Sequence, residues 1–103
     1  MKIFYITLNT SDEAKAISYD LLERRLAVCT NWFPIACAYR WEGEIKQAQE
    51  VVLIIKTRDE LREVIEKVIS EHIQYTNFMA EIDVASINAG FLNWLNAEVP
   101  QIV

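Results

Sequence analysis

A chain of 103 residues has room for one domain, residues 1–103, around one core, and its 52% hydrophobic share supplies that core without disulfides or a structural metal. Its two glycines, Gly43 and Gly90, stand too far apart for a phosphate-cradling loop or a dinucleotide fingerprint, and its single histidine, His72, excludes a two-histidine zinc helix. A net charge of −5, with basic residues scattered singly or in the pair Arg24-Arg25, argues against a nucleic-acid partner, whose binding rests on clustered Lys and Arg.

Residues 2–8 carry Ile3, Phe4, Tyr5, Ile6 and Thr7, a β-branched and aromatic run of strand length. This opening lacks the apolar core and small-residue cleavage site of a signal peptide, and no apolar run approaches the roughly 20 residues of a membrane span. The expectation is a cytoplasmic protein with no membrane partner and with Cys29 and Cys37 reduced. Thr10 and Glu13 have the spacing of a capping box, in which hydroxyl and carboxylate satisfy free backbone donors at a helix start. Ala14, Ile17, Leu21 and Leu22 follow at helical spacing, and Arg24 and Arg25 place positive charge at the negative end of the helix dipole.

Over residues 26–41 the helical period is lost, and Val28, Cys29, Thr30, Trp32, Phe33, Ile35, Cys37, Tyr39 and Trp41 suit a long strand. Pro34, which cannot donate to a ladder, marks a bend or an edge position. Glu42 and Gly43 form the turn of a hairpin, since glycine takes the positive φ that tight turns need. The apolar run 51–55 reads as a strand buried on both faces, so residues 29–56 form a long antiparallel hairpin.

Thr57 to Glu60 repeats the capping-box spacing, and Leu61, Val64, Ile65, Val68 and Ile69 match the helical template. Residues 78–86 read as a fourth strand. Asn88 is placed to cap a short helix carrying Phe91, Leu92, Trp94 and Leu95, which Pro100 stops. The order β-α-β-β-α-β with a C-terminal helix is an α+β, ferredoxin-like pattern with both helices on one sheet face. Trp32, Phe33, Tyr39 and Trp41 exceed what two helices cover, so a partner chain is the natural cover for the other face.

The segment Leu26-Ala27-Val28-Cys29-Thr30-Asn31, then Pro34, then Tyr39-Arg40-Trp41-Glu42-Gly43, then Glu50 and Lys56-Thr57, resembles the CutA divalent-cation tolerance family, which shows L-A-A-C-V-N, Pro, Y-x-W-x-G, Glu and K-T in this order. His72 matches the histidine of the family's H-P-Y-E-x-P-E-I segment, and Phe91-Leu92-Asn93-Trp94-Leu95 matches its Y-L-x-W-L. The resemblance covers nearly the whole chain. It implies a ferredoxin-like protomer with an extended hairpin, assembled as a cytoplasmic homotrimer, with copper or another divalent cation, or a small molecule, bound near the subunit clefts. One segment departs from the pattern. Read without gaps from His72, Pro-Tyr-Glu becomes Ile73-Gln74-Tyr75 and the later Pro-Glu becomes Asn77-Phe78, so two carboxylates able to hold a cation are gone.

The candidate metal ligands are His72, Cys29 and Cys37. His72 ends the second helix, where the dipole favours a protonated imidazole, so a capping role explains it as well as a ligand role does. Cys29 and Cys37 lie eight apart in one strand, about 26 Å at 3.3 Å per residue, and cannot share an ion within one protomer. Cys29 suits a small core residue, and Cys37 is open to a neighbouring chain in a trimer. Glu50 and Lys56 match family positions and suit an ion pair at a subunit cleft or a solvated strand end, while Tyr39, Trp41 and Trp94 suit an interface. No nucleophile-and-base pair is visible: Ser70 lies on a different helix face from His72, and Glu42 and Glu44 sit on a hairpin turn. The expectation is a non-enzymatic CutA-like trimer concerned with divalent-cation, chiefly Cu²⁺, tolerance. The alternative is a small-molecule-sensing or scaffold trimer built like the nitrogen-regulatory P-II proteins.

Overall fold

A computed structural model of the protein describes residues 1–101. The elements run β1 (Lys2–Leu8), α1 (Ser11–Glu23), β2 (Cys29–Trp41), β3 (Glu44–Thr57), α2 (Arg62–His72), β4 (Met79–Asp83) and α3 (Ala89–Glu98). The four strands form one antiparallel sheet in the order β2-β3-β1-β4, which is the ferredoxin-like arrangement expected. The edge position of β2 explains how Pro34 is tolerated there, because the missing donor removes no ladder bond from a third strand.

Residues directly opposite in an antiparallel pair share a face, so the register sorts the side chains. Phe4, Ile6 and Leu8 stand opposite Ile55, Leu53 and Val51, and all six are buried under α1 and α2. The helices contribute Ala14, Ile17 and Leu21 from α1 and Ile65, Val68 and Ile69 from α2, with Leu61 just ahead of it. Each large aliphatic group so buried contributes about 1.5–3 kcal/mol. The opposite face carries Ile3, Tyr5, Val52, Ile54, Phe33, Phe78 and Ile82, with no helix of the pair over it. Trp32 departs from expectation here: it stands opposite Leu53 and so belongs to the helix side, while Phe33, Tyr39 and Trp41 belong to the open one.

β1 pairs with β3 only over residues 51–57, whereas β2 pairs with it along its whole length. Residues 35–50 therefore leave the sheet as a two-stranded arm, turned by Glu42 at φ 51° and Gly43 at φ 80°. Two consecutive positive φ values are those of a type I′ turn, whose twist matches that of the flanking strands. The capping box at Thr10 and Glu13 is formed in full. The second one is not. Thr57 is the last residue of β3 and its hydroxyl donates to the Leu26 carbonyl at 2.6 Å, so α2 starts later, from Leu61, with no side-chain cap. The fourth strand is shorter than 78–86 because β1 offers partners only from Lys2 to Ile6. Asn88 does sit at the start of α3, although its side chain makes no cap bond.

The basic pair after α1 acts differently from a dipole partner. Arg25 N donates to Leu22 O and Leu26 N to Leu21 O, a Schellman motif with Arg25 in the left-handed position at φ 58° that glycine usually fills. That backbone conformation costs about 1 kcal/mol for a non-glycine residue. The side chain offsets it: Nε and Nη2 of Arg25 donate to the carbonyls of Glu98 and Ala97 at 2.7 and 3.1 Å. Arg58 Nε donates to Val99 O at 2.8 Å. Two guanidiniums from distant parts of the chain thus satisfy carbonyls at the end of α3, which would otherwise lack partners. They hold Leu95 and Val99 in the core.

Ser18 is the one polar side chain of α1 that the core encloses, and its Oγ has no hydrogen-bond partner among the described residues. Leaving a buried hydroxyl unmet costs about 1 kcal/mol or more. Ser18→Ala is therefore expected to raise the melting temperature by about 4–8 °C at fixed protein concentration. A fall measured by calorimetry would show that the hydroxyl is satisfied.

Candidate functional site

The sequence places its candidate ligands on three parts of the fold. His72 closes α2 on the helix layer, where Nε2 lies 2.8 Å from Oδ2 of Asp20 on α1. Asp20 also accepts from Arg24 Nε at 2.8 Å, and Arg24 reaches Glu71 at 3.6 Å. His72 and then Arg24 hold the Asp20 carboxyl below its ordinary range, against the partial desolvation that raises it. The imidazole is thus engaged in a clasp between two helices, a partner that its position at the helix end did not disclose.

Cys29 and Cys37 both lie on the open-face row of β2, opposite Lys56 and Ala48 respectively. The fold does not bring His72 to either of them. Among the described residues no three His, Cys, Asp or Glu side chains gather in a metal-sized group. Cys37 is half-buried beside Glu50, and partial burial, then the Glu50 charge, push its thiol up. A metal ligand is the thiolate, which this setting disfavours. Among the described residues of one chain, His72, Cys29 and Cys37 thus do not come together as a ligand set.

The remaining candidates divide into two places. Lys56 Nζ sits 5.8 Å from the centre of the Phe91 ring, and Phe91 packs edge-to-face on Trp94 at 5.3 Å. Lys56, Phe91 and Trp94 thus form one cluster near the base of the sheet, in which Trp94 is 45% exposed. Glu50 lies six residues from Lys56 on the same strand, about 20 Å away at 3.3 Å per residue, so the two do not pair within one chain. Glu50 instead joins Tyr39 and Trp41.

Those three residues line an open cleft of about 690 Å³ whose other wall is Asn9, Gln74, Tyr75 and Thr76. The cleft opens where the two-stranded arm leaves the sheet. Its loop wall is fixed by Tyr75. Tyr75 Oη donates to Glu13 Oε1 at 2.8 Å and accepts from Asn9 N at 2.9 Å. Glu13 Oε1 also accepts from Thr10 N at 3.0 Å, so the capping box of α1 doubles as the anchor of the loop after α2. Sequence reasoning missed Tyr75 and Asn9 as wall residues, because the contact spans 66 positions.

The family model of the CutA1 divalent ion tolerance protein matches residues 2–98. The divalent-cation tolerance protein CutA of Archaeoglobus fulgidus is 38% identical over 96 residues, covering 92% of this chain and 94% of that one. CutA of Thermotoga maritima is 34% identical over 100 residues, covering 96% of this chain and 99% of that protein. The crystal structure of CutA1 from Pyrococcus horikoshii superposes with a TM-score of 0.90 at 33% identity, over 98% of this chain and all of that one. A ferredoxin-like sheet with an overhanging hairpin and a C-terminal helix thus defines a class shared along the whole length. The chain belongs to the CutA1 divalent ion tolerance family. That family is named for divalent ion tolerance.

Burial is the main cause that pushes the Tyr75 hydroxyl up to about 12, with Glu13 adding to it and the Asn9 amide opposing it. A raised phenol makes a sign-definite contribution. The stability it carries is complete below the ordinary value near 10 and is lost as pH rises from there to about 12. Tyr75→Phe is expected to lower stability by about 1–2 kcal/mol at neutral pH, since the Asn9 amide loses one of its acceptors. It should also flatten the loss of stability across the alkaline window, and a chemical denaturation series over that range checks both.

Proposed function

We propose that the protein works as a cytoplasmic homotrimer in divalent-cation tolerance, with Cu²⁺ bound weakly by donors drawn from more than one chain. The observation that carries this reading is the open sheet face. Phe33 is 41% exposed, Phe78 57% and Ile82 44%, and they extend a row whose centre, Val52, is already enclosed. A contiguous apolar face of this kind on a family member is best covered by copies of itself, packed face to face. Cys37, held back from metal within one chain, would then stand near its counterparts from the neighbouring chains.

The location and the absence of a membrane partner rest on the absence of a long apolar helix among the described residues, together with the two free thiols. The scattered basic residues support the absence of a nucleic-acid partner. A second reading, that of a P-II-like small-molecule sensor or scaffold, is favoured by one observation. The largest cleft with aromatic walls holds a single carboxylate, where a metal site would need several donors.

Two measurements test these readings. Sedimentation is expected to give a stable species of three times the 12.0 kDa chain mass, and a monomer at micromolar concentration would refute the assembly. Calorimetric titration with CuCl₂ is expected to show weak binding that falls in a His72→Ala variant. Identical curves would remove His72 from the site, and no heat in either protein would leave tolerance without direct copper binding.

A further inference from the structure

The chain's single histidine closes α2 against α1, and its neighbours there decide which ring nitrogen is open to a ligand. Nε2 of His72 lies 2.8 Å from Oδ2 of Asp20. Arg24 donates to the same side chain, Nε to Oδ1 at 2.8 Å and Nη2 to Oδ2 at 3.3 Å, so Asp20 stands beside a permanent positive charge and is ionised. An ionised carboxylate accepts hydrogen bonds and donates none. Nε2 must therefore carry the ring hydrogen, and in the neutral imidazole the lone pair lies on Nδ1. Among the described residues the hydrogen bond of this ring is made through Nε2, and the side chain is partly exposed.

Both oxygens of Asp20 are engaged, so this carboxylate acts on a bound cation through the imidazole and not as a ligand itself. Arg24 reaches Glu71 as well as Asp20, and two carboxylates against one guanidinium leave the cluster with a negative charge that tolerates a cation nearby. A histidine that holds a metal through one nitrogen commonly donates its other N–H to a carboxylate, which fixes the ring and raises the basicity of the ligating atom. We propose that Asp20 is the positioning residue of His72 in copper binding: it holds the ring hydrogen on Nε2, orients the imidazole from across the helix layer and leaves Nδ1 as the nitrogen that meets the ion. The inference deepens the copper reading and rests on it. The two residues stand 52 positions apart, and no local pattern joins them.

Because His72 is the only histidine of the chain, nitrogen-15 labelling of histidine reports this ring alone. In metal-free protein in mildly alkaline buffer, Nε2 is expected at the protonated resonance and Nδ1 at the unprotonated one. Asp20→Ala should move both signals toward the average of a ring exchanging between its two forms, whereas Asp20→Asn, whose amide oxygen still accepts, should keep most of the parent pattern. Calorimetric titration with CuCl₂ into the assembled protein is expected to weaken about 10–100-fold in Asp20→Ala and less in Asp20→Asn. Glu71→Gln, which removes a charge of the cluster but no bond to the ring, should leave the ring signals in place. Sedimentation and circular dichroism check that the variants keep the parent assembly and fold. A clasp that serves stability alone leaves the copper curve of Asp20→Ala unchanged. That result overturns the inference, as does a ring hydrogen found on Nδ1 in the parent protein, which needs no variant. Copper binding that falls in His72→Ala but not in Asp20→Ala leaves the copper reading standing without Asp20. No copper heat in the parent overturns the copper reading and the ligand role of Nδ1 together.

Discussion

Five consecutive apolar residues at the centre of the sheet, 51–55, set the constraint on which the rest of the structure depends. A strand alternates its side chains between two faces, so the helices can cover Val51, Leu53 and Ile55 but not Val52 and Ile54. Val52 is enclosed by its own neighbours on the open face, while Ile54 stays half-buried. The chain thus folds with one hydrophobic layer completed and a second one begun. Completing the second layer from within would take another pair of helices, and the C-terminal helix is committed elsewhere by Arg25 and Arg58. The open face is left without cover from the described residues of its own chain.

The overhang of β3 beyond β1 is the other consequence of that strand. An isolated two-stranded ribbon is marginal in water, and this one is made more so by the small residues Ala36, Ala38 and Ala48 along it. Its bulk is concentrated instead at Tyr39, Trp41 and Ile45, near the turn, where these side chains are exposed at 44%, 59% and 74%. Large side chains at the end of a thin arm suit contact with something outside the protomer. The cleft lies at the root of this arm, so whatever the arm touches also shapes the cleft.

The fold was legible in the sequence wherever its determinants were local. The β-branched run of the first strand, the Glu42-Gly43 turn and the apolar spacing of α2 each rest on a few neighbouring residues, and each element forms where that spacing places it. The second capping box failed because Thr57 was drawn into the sheet, where its hydroxyl meets Leu26 across 31 positions. The same limit applies to Arg25, whose partners lie 72 and 73 residues away. Local pattern identifies which groups need a partner. It does not identify the partner when the chain must fold first to supply it.

The candidate site shows this division most clearly. The sequence pairs Glu50 with Lys56 and reads Tyr39 and Trp41 as interface aromatics, whereas in the fold Glu50 lines a cleft with Tyr39 and Trp41, and His72 lies on the helix layer away from the strand row that carries Cys29 and Cys37. The Tyr75 hydroxyl makes two hydrogen bonds that tie the loop to the start of α1. An acid at that position beside Glu13 and Glu50 would add a third negative charge to a small region. Among the described residues, Glu50 is the carboxylate that lines the cleft.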